Sequence, residues 1–207
     1  MLRIVAPITS ALATQIVIQN HYLHRRSNVR FAFGLFADCK LVGVVIFGTP
    51  ASRHLQVSAC ATDPSSVVEL NRLWVSDDMP RNTESWFVSR ALKLLPPLIV
   101  VSYADTKQRH FGYIYRALGF NYAGWTDMDR KTARYDYVVP GKHSRDAFRV
   151  GYTHRVQRLP KVRYWITTGN KRERKELMRK CTWPTLDWRS SRPPGEIVIR
   201  LPTAGRA

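Results

Sequence analysis

Acidic residues are scarce in this chain. Only 15 Asp and Glu stand against 33 Lys and Arg in 207 residues, a formal net charge of +18 and a sequence pI near 10.5. A compact state carries such self-repulsion most easily when a polyanion neutralises it, so nucleic acid is the leading partner and an anionic membrane surface the runner-up. Long apolar runs are also missing. The N-terminal stretch is interrupted by Pro7, Thr9, Ser10, Thr14, Gln15 and Gln19, which excludes a spanning helix there and argues against a signal peptide. Cysteine is rare and unpatterned: Cys39, Cys60 and Cys181 lie far apart with no CxxC pair, which points to a reducing cytoplasm and away from structural zinc. What remains, 44% hydrophobic and 23% charged, is an ordinary globular mixture, long enough for one cored domain with an appendage.

The positive charge is unevenly placed. Residues 1–140 carry 16 Lys and Arg against 10 Asp and Glu, whereas 141–207 carry 17 against 5. On this basis residues 1–140 read as a catalytic or ligand-binding core and 141–207 as a basic, DNA-binding extension packed on it. Within the core, Leu12, Ile16 and Leu23 recur on one face and predict a helix over 7–25, with Ser10 as a cap. FAFGLFA (31–37) and LVGVVIFG (41–48) predict a hairpin about Asp38, Cys39 and Lys40. VVELNRLWV (67–75) reads as a strand, 83–95 as a helix stopped by Pro96 and Pro97, and 98–103 as a buried strand. A helix over 107–118 follows, with Phe111, Tyr115 and Leu118 in register and Gly119 ending it. Aromatic segments 120–126 and 133–139 close the sheet. The extension adds a strand over 161–168 and a helix capped by Asn170 and Glu173. The whole is an α/β domain with a mixed sheet.

Several clusters have chemistry. The turn Arg81, Asn82, Thr83, Ser85 heads a helix, whose free N–H groups and dipole suit a phosphate or carrier-bound acyl donor, although by spacing alone ordinary capping by Asn82 or Thr83, with Arg81 solvated, is the favoured reading. Ser102 and Asp105 sit at the end of a buried strand, where open α/β sheets place ligands. Asp105 can serve as base, metal ligand or helix cap. Tyr115 lies on an apolar face, suited either to packing or to delivering a proton. His21 and His24, three apart and beside Tyr22, can face one side of a helix as metal ligands or base contacts, or lie solvated. Cations alternate with aromatics through Arg149, Tyr152, His154, Arg155, Arg158, Lys161, Arg163, Tyr164 and Trp165, and continue as Lys171, Arg172 and Lys175; cations contact phosphates and rings stack on unpaired bases.

The runs ELNRLWVSDDMPRNTES (69–85), VSYAD (101–105) and HFGYIYRALGF (110–120) resemble the Mom family of bacteriophage DNA-modification proteins. More broadly, Leu70 to Val75, Arg81, and Tyr115 with Gly119 and Phe120 resemble a GNAT acyltransferase core. The departure from that core is at Asn82, Thr83, Glu84 and Ser85, where GNAT enzymes have the glycines of a pyrophosphate loop. The resemblance implies conversion of adenine in phage DNA to N6-carbamoylmethyladenine, in the cytoplasm of an infected bacterium, as a shield against restriction. The partners implied are double-stranded DNA and a small donor, acetyl-CoA or a relative, with a dimer compatible and no membrane. Because the added group is joined through a methylene carbon, plain acyl transfer does not make it, and iron held by His21, Tyr22 and Asp105 is one means of activation. In this scheme Arg72 and the Arg81–Ser85 turn, with Ser102, hold the donor or position the substrate. Asp105, His21 and Tyr22 polarise the amine, and Tyr115 donates a proton. A conventional N-acetyltransferase acting on a protein or small amine, and a non-catalytic DNA-binding protein, are the alternatives.

Overall fold

The computed structural model describes residues 2–127, 131–139 and 149–189. Seven strands form one sheet: β1 (Arg3–Pro7), β2 (Phe31–Ala37), β3 (Lys40–Gly48), β4 (Val67–Val75), β5 (Ile99–Ala104), β6 (Asn121–Trp125) and β9 (Val162–Thr167). β7 (Tyr135–Val138) and β8 (His154–Gln157) form a separate two-stranded ribbon. The helices are α1 (Ser10–Asn20), α2 (Arg53–Ala59), α3 (Thr83–Lys93), α4 (Tyr113–Ala117) and α5 (Lys171–Lys180). The order across the sheet is β1-β2-β3-β4-β5-β9-β6, antiparallel everywhere except between β4 and β5. The mixed α/β class read from the sequence is therefore found.

Each sheet face is covered. Phe33, Leu35, Phe47, Val68, Leu70 and Val100 pack under α3, whose Phe87, Val88 and Ala91 are buried, and against Tyr115 of α4. On the opposite face Ala13 and Val17 of α1 cover Ala32, Val44 and Ile46. Farther along that face, Ala59 of α2 and Leu177 of α5 cover Val67, Ile99, Val101 and Trp165. At roughly 2 kcal/mol for each large buried side chain, these three clusters supply the main drive to fold.

The structure revises several boundaries. The helix expected over 7–25 is the strand β1 followed by a shorter α1, capped by Thr9 rather than Ser10: the Thr9 hydroxyl accepts from the Leu12 N–H at 3.2 Å. It ends at Asn20, so His21 and His24 do not share a helical face. Residues 106–108 form a 3₁₀ turn, and only 113–117 of the expected 107–118 helix is α-helical. The break falls at Arg109 and Gly112, both left-handed, and a Cβ at Gly112 would collide with the Tyr164 ring. Segment 133–139 does not close the main sheet but forms β7 of the ribbon. The segment assigned by charge to the extension supplies β9, which lies inside the sheet between β5 and β6. The charge boundary at residue 140 is therefore not a boundary of the fold. The hairpin, β4, α3, and α5 with its Asn170–Glu173 capping box stand where the sequence places them.

Two irregularities shape the centre. β4 and β5 pair only from Val67 with Ile99 to Leu70 with Ser102. Beyond that, β4 continues to Val75 bonded to β3 alone, while β5 continues to Ala104 bonded to β9 alone, so the parallel strands part and leave a gap in the sheet. In addition, the register of β3 and β4 shifts so that Phe47 faces Leu70 and Ile46 faces Arg72, with Asn71 as the extra residue of a bulge. That bulge puts Arg72 on the same face as Glu69, toward α1 and α2.

Candidate active site

The parting strands gather the polar groups. His21 caps the C-terminus of α1 and is only 6% exposed; its Nδ1 accepts from the Leu23 N–H at 3.1 Å, leaving Nε2 free of that bond. Its ring stacks on Tyr22 with centroids 4.3 Å apart, and Tyr22 stands edge-on to His110 at 6.0 Å. Burial lowers the His21 pKa to about 4, helped by the positive charge of Arg72, so the imidazole is neutral. The Tyr22 phenol is pushed upward, first by burial and then by the charge of Asp105.

Asp105 accepts the N–H of Lys107 at 3.1 Å and an ion pair from Lys161 Nζ at 3.0 Å. It is thus both the cap of the 3₁₀ turn and a member of the centre. Tyr115, on the other side of the parting strands, is pushed up to about 12 by burial; the nearby hydroxyl of Ser102 partly offsets this, and Tyr22 and Glu69 are near enough to act on it. Ser102 donates to the Leu70 carbonyl at 3.1 Å, across the last paired position of β4 and β5. The structure therefore brings His21, Tyr22, Arg72, Ser102, Asp105 and Tyr115 around one gap, with Tyr22 electrostatically coupled to both Asp105 and Tyr115.

Two members of this centre, Glu69 and Tyr103, escape a reading of motifs, and a third, Arg163, was read only as a phosphate contact. Glu69, on β4, is buried enough that its carboxyl is raised despite the nearby Lys161 and Arg72. Tyr103 is raised by burial and by Glu69, and its ring meets Trp183 edge-on at 6.1 Å. Arg163 reaches over Trp183 at 5.5 Å. The signal available for Glu69 was a lone carboxylate in a strand that is mostly apolar. Arg72 and Arg163 each hold a buried Nε with no hydrogen-bond partner, which is costly unless a ligand supplies an acceptor.

The Arg81–Ser85 turn follows the end of β4 by six to ten residues and lines a different space. A cavity of about 380 Å³ lies between it and α4, walled by Met79, Arg81, Asn82, Glu84, Ser85 and Tyr113. Asn82 adopts φ 68°, the left-handed conformation a glycine would otherwise supply, and no side chain caps the helix. Thr83 turns inward, its hydroxyl donating to the Pro80 carbonyl at 2.6 Å, and the Ser85 hydroxyl donates to Asn82 at 3.0 Å. The cavity suits a small donor with an anionic end: Arg81 is exposed at its rim and α3 points its N-terminus into it. A pyrophosphate held as in a glycine loop fits poorly, because side chains cover that backbone and Glu84 adds a carboxylate to the first turn.

Iron fits the centre less well than acid–base chemistry does. The neutral His21 is a suitable ligand, but the Tyr22 phenol is held toward its protonated form and Asp105 is paired with Lys161. Among the described residues, no three His, Cys, Asp or Glu gather closely enough to hold a metal.

The cations expected to bind nucleic acid divide among three places. Arg149 is exposed; Arg155 and Arg158 belong to the ribbon and its end; Lys161 and Arg163 face the centre; Lys171, Arg172 and Lys175 are exposed on α5. Two rings expected to stack on bases do not. Tyr164 and Trp165 are buried, at 2% and 3% exposure, and their polar atoms donate to Phe111 and Pro184 carbonyls at 2.8 and 3.0 Å. They lie on β9, whose place inside the sheet buries both faces. No helix among the described residues is long and apolar enough to cross a membrane.

Comparison with solved structures finds similarity to a GNAT-family acetyltransferase from Bacillus cereus, 14% identical, covering 82% of this chain and all of that one at a TM-score of 0.46. The ribosomal-protein-S18-alanine N-acetyltransferase of Escherichia coli is 11% identical over 82% of this chain and 96% of its own, at 0.45. In sequence, the methylcarbamoylase Mom of Escherichia phage Mu is 39% identical over 129 residues, 58% of this chain and 53% of that protein, so the match spans about half the relative's length. The model of the Mom protein family matches residues 3–180, which takes in every described strand and helix, and the chain belongs to that family.

Proposed function

We propose that this protein is a transferase that attaches a carbamoylmethyl group to the exocyclic amine of adenine in double-stranded DNA, in the cytoplasm of an infected bacterium, and so shields phage DNA from restriction. The observation that carries the reading is the gap between β4 and β5, where a neutral imidazole, two protonated phenols, two carboxyl groups and an arginine with an unpaired Nε converge. Family membership and the similarity to a methylcarbamoylase support it.

The adenine N6 lone pair is delocalised into the ring, so the amine must be activated as the new N–C bond forms. Asp105, fixed by Lys161 and the Lys107 N–H, accepts a hydrogen bond from the amine. Glu69, whose burial raises its affinity for a proton, is suited in its ionised form to take the proton that N6 loses. Tyr115 protonates the group that leaves the donor's methylene carbon. His21 and Tyr22, stacked, form a wall against which an unstacked purine can lie, and Arg72 offers its free Nε. The target base must leave the duplex, since stacking denies access to N6. The cavity at Arg81, Asn82 and Ser85 holds the small donor, and α5 contacts phosphates through Lys171, Arg172 and Lys175.

The test is nucleoside mass spectrometry on DNA from bacteria expressing the chain. The expected result is an adenine nucleoside bearing the added carbamoylmethyl group, absent with Tyr115→Phe or Asp105→Asn. Standard nucleosides alone, from well-folded protein, would overturn the proposal.

A further inference from the structure

The β7–β8 ribbon takes no part in the chemistry described above. Among the described residues, it pairs with no strand of the main sheet. A lone two-stranded ribbon is marginally stable in water, and here side chains brace it. The Arg155 guanidinium lies 4.4 Å from the Tyr135 ring centroid, Tyr137 packs on Tyr152 at 4.6 Å, and Arg158 Nε donates to Asp136 at 3.1 Å. Register sorts its faces. Tyr135 is opposite Gln157 and Tyr137 opposite Arg155, so these four share one face; Asp136, Val138, His154 and Val156 share the other. The first face thus carries Arg, Gln and two tyrosines and no acid, with Arg155 and Gln157 exposed.

We propose that this ribbon enters the major groove of duplex DNA and reads base edges through Arg155 and Gln157. The inference deepens the DNA-modification reading and rests on it for the identity of the polymer. A two-stranded ribbon matches the width of the B-form major groove, where arginine pairs with guanine O6 and N7 and glutamine with adenine N6 and N7. The Tyr135 ring holds the guanidinium before binding, so less side-chain freedom is lost on contact. The net charge of +18 supplies the attraction to phosphate. The major groove of duplex RNA is too narrow to admit the ribbon, so the proposal commits to DNA.

The experiment is fluorescence anisotropy of the full chain on labelled duplex DNA, together with protection of guanine N7 from dimethyl sulfate, which reacts in the major groove. Arg155→Ala is expected to weaken binding about tenfold and abolish the protection, and Gln157→Ala to weaken it less. Arg155→Lys keeps the charge and the salt dependence yet loses the protection, which separates base reading from attraction to phosphate. His154→Ala, on the opposite face, binds as wild type. Wild-type affinity and unchanged protection in Arg155→Ala would overturn the proposal, as would equal affinity for duplex RNA. Nucleoside analysis separates the two readings: protected guanines in the wild type, lost in Arg155→Ala, sustain the ribbon even if cellular DNA carries no modified adenine. Wild-type protein that binds no duplex overturns both.

Discussion

The arginines of the sheet and those of the ribbon have opposite surroundings. Arg72 and Arg163 lie against the centre with buried Nε atoms that find no partner. Arg155 and Arg158 sit near the surface, one braced by a ring and the other by a carboxylate. Burying a donor without an acceptor costs on the order of 1–3 kcal/mol, more if it is charged, whereas an exposed ion pair contributes well under 1 kcal/mol. The contrast indicates where the molecule gives up stability for chemistry and where it simply presents charge. Around the gap, His21, Tyr22, Glu69, Tyr103 and Tyr115 are all displaced in the direction of their neutral forms; no such displacement is needed to hold a phosphate.

The sharpest way to break that comparison is to remove the chemistry while leaving the fold. Tyr115→Phe retains the ring that packs on Phe120 and Tyr164, with centroids 5.3 and 5.2 Å away, and deletes only the proton. Modified adenine in cellular DNA is expected to fall about 100-fold or more, with an unchanged circular dichroism spectrum; full modification would remove Tyr115 from the mechanism.

Next in size is the pH dependence set by His21. Its folded pKa, about 4, lies below the ordinary value of 6.5, so the unfolded chain binds the extra proton and stability falls as pH drops from 6.5 toward 4. The full loss is up to about 3 kcal/mol. His21→Asn, whose side-chain oxygen can still accept from Leu23, should flatten urea-unfolding free energies across that window. An unaltered slope would assign the dependence elsewhere.

Glu69→Gln tests the cost directly. A carboxyl raised by burial binds protons more readily when folded, so its destabilisation grows as pH rises past the ordinary carboxylate value. The amide should therefore raise the melting temperature at neutral pH by about 1–4 °C, while modification falls about tenfold or more. Loss of both stability and activity would make Glu69 a structural residue. The smallest effect belongs to the ribbon: Arg158→Ala should cost about 0.5 kcal/mol or less in thermal unfolding, and a loss of several kcal/mol would mean that the ribbon is integral to the core.

Elements with a clear period were readable from sequence alone. The 31–48 hairpin, β4 and α3 follow directly from apolar alternation, a breaker pair at Pro96 and Pro97, and polar turns. Tyr115 and Asp105 could be singled out as candidates from an apolar helix face and a strand end, and Arg72 through a resemblance, because strand ends and a phenol near an apolar face have no unique meaning by themselves. Other features were hidden because their causes lie far away in the chain. α1 stops at Asn20 although the apolar pattern continues to Leu23. The helix expected over 107–118 is broken where Gly112 meets Tyr164, 52 positions later. Trp165 and Tyr164 resemble a stacking patch until β9 is placed between β5 and β6.

The sequence by itself determined the class of the fold, most of the strands, the cationic excess and the residue types of the centre, because these depend on neighbours within a few positions. Only the tertiary structure decided that β4 and β5 part after Leu70 and Ser102, that the Asn71 bulge turns Arg72 to the side of Glu69, and that a segment of the basic tail completes the sheet. Those outcomes rest on hydrogen-bond pairing and packing between segments dozens of residues apart, where the energy belongs to the pair and cannot be assigned to either stretch of sequence alone.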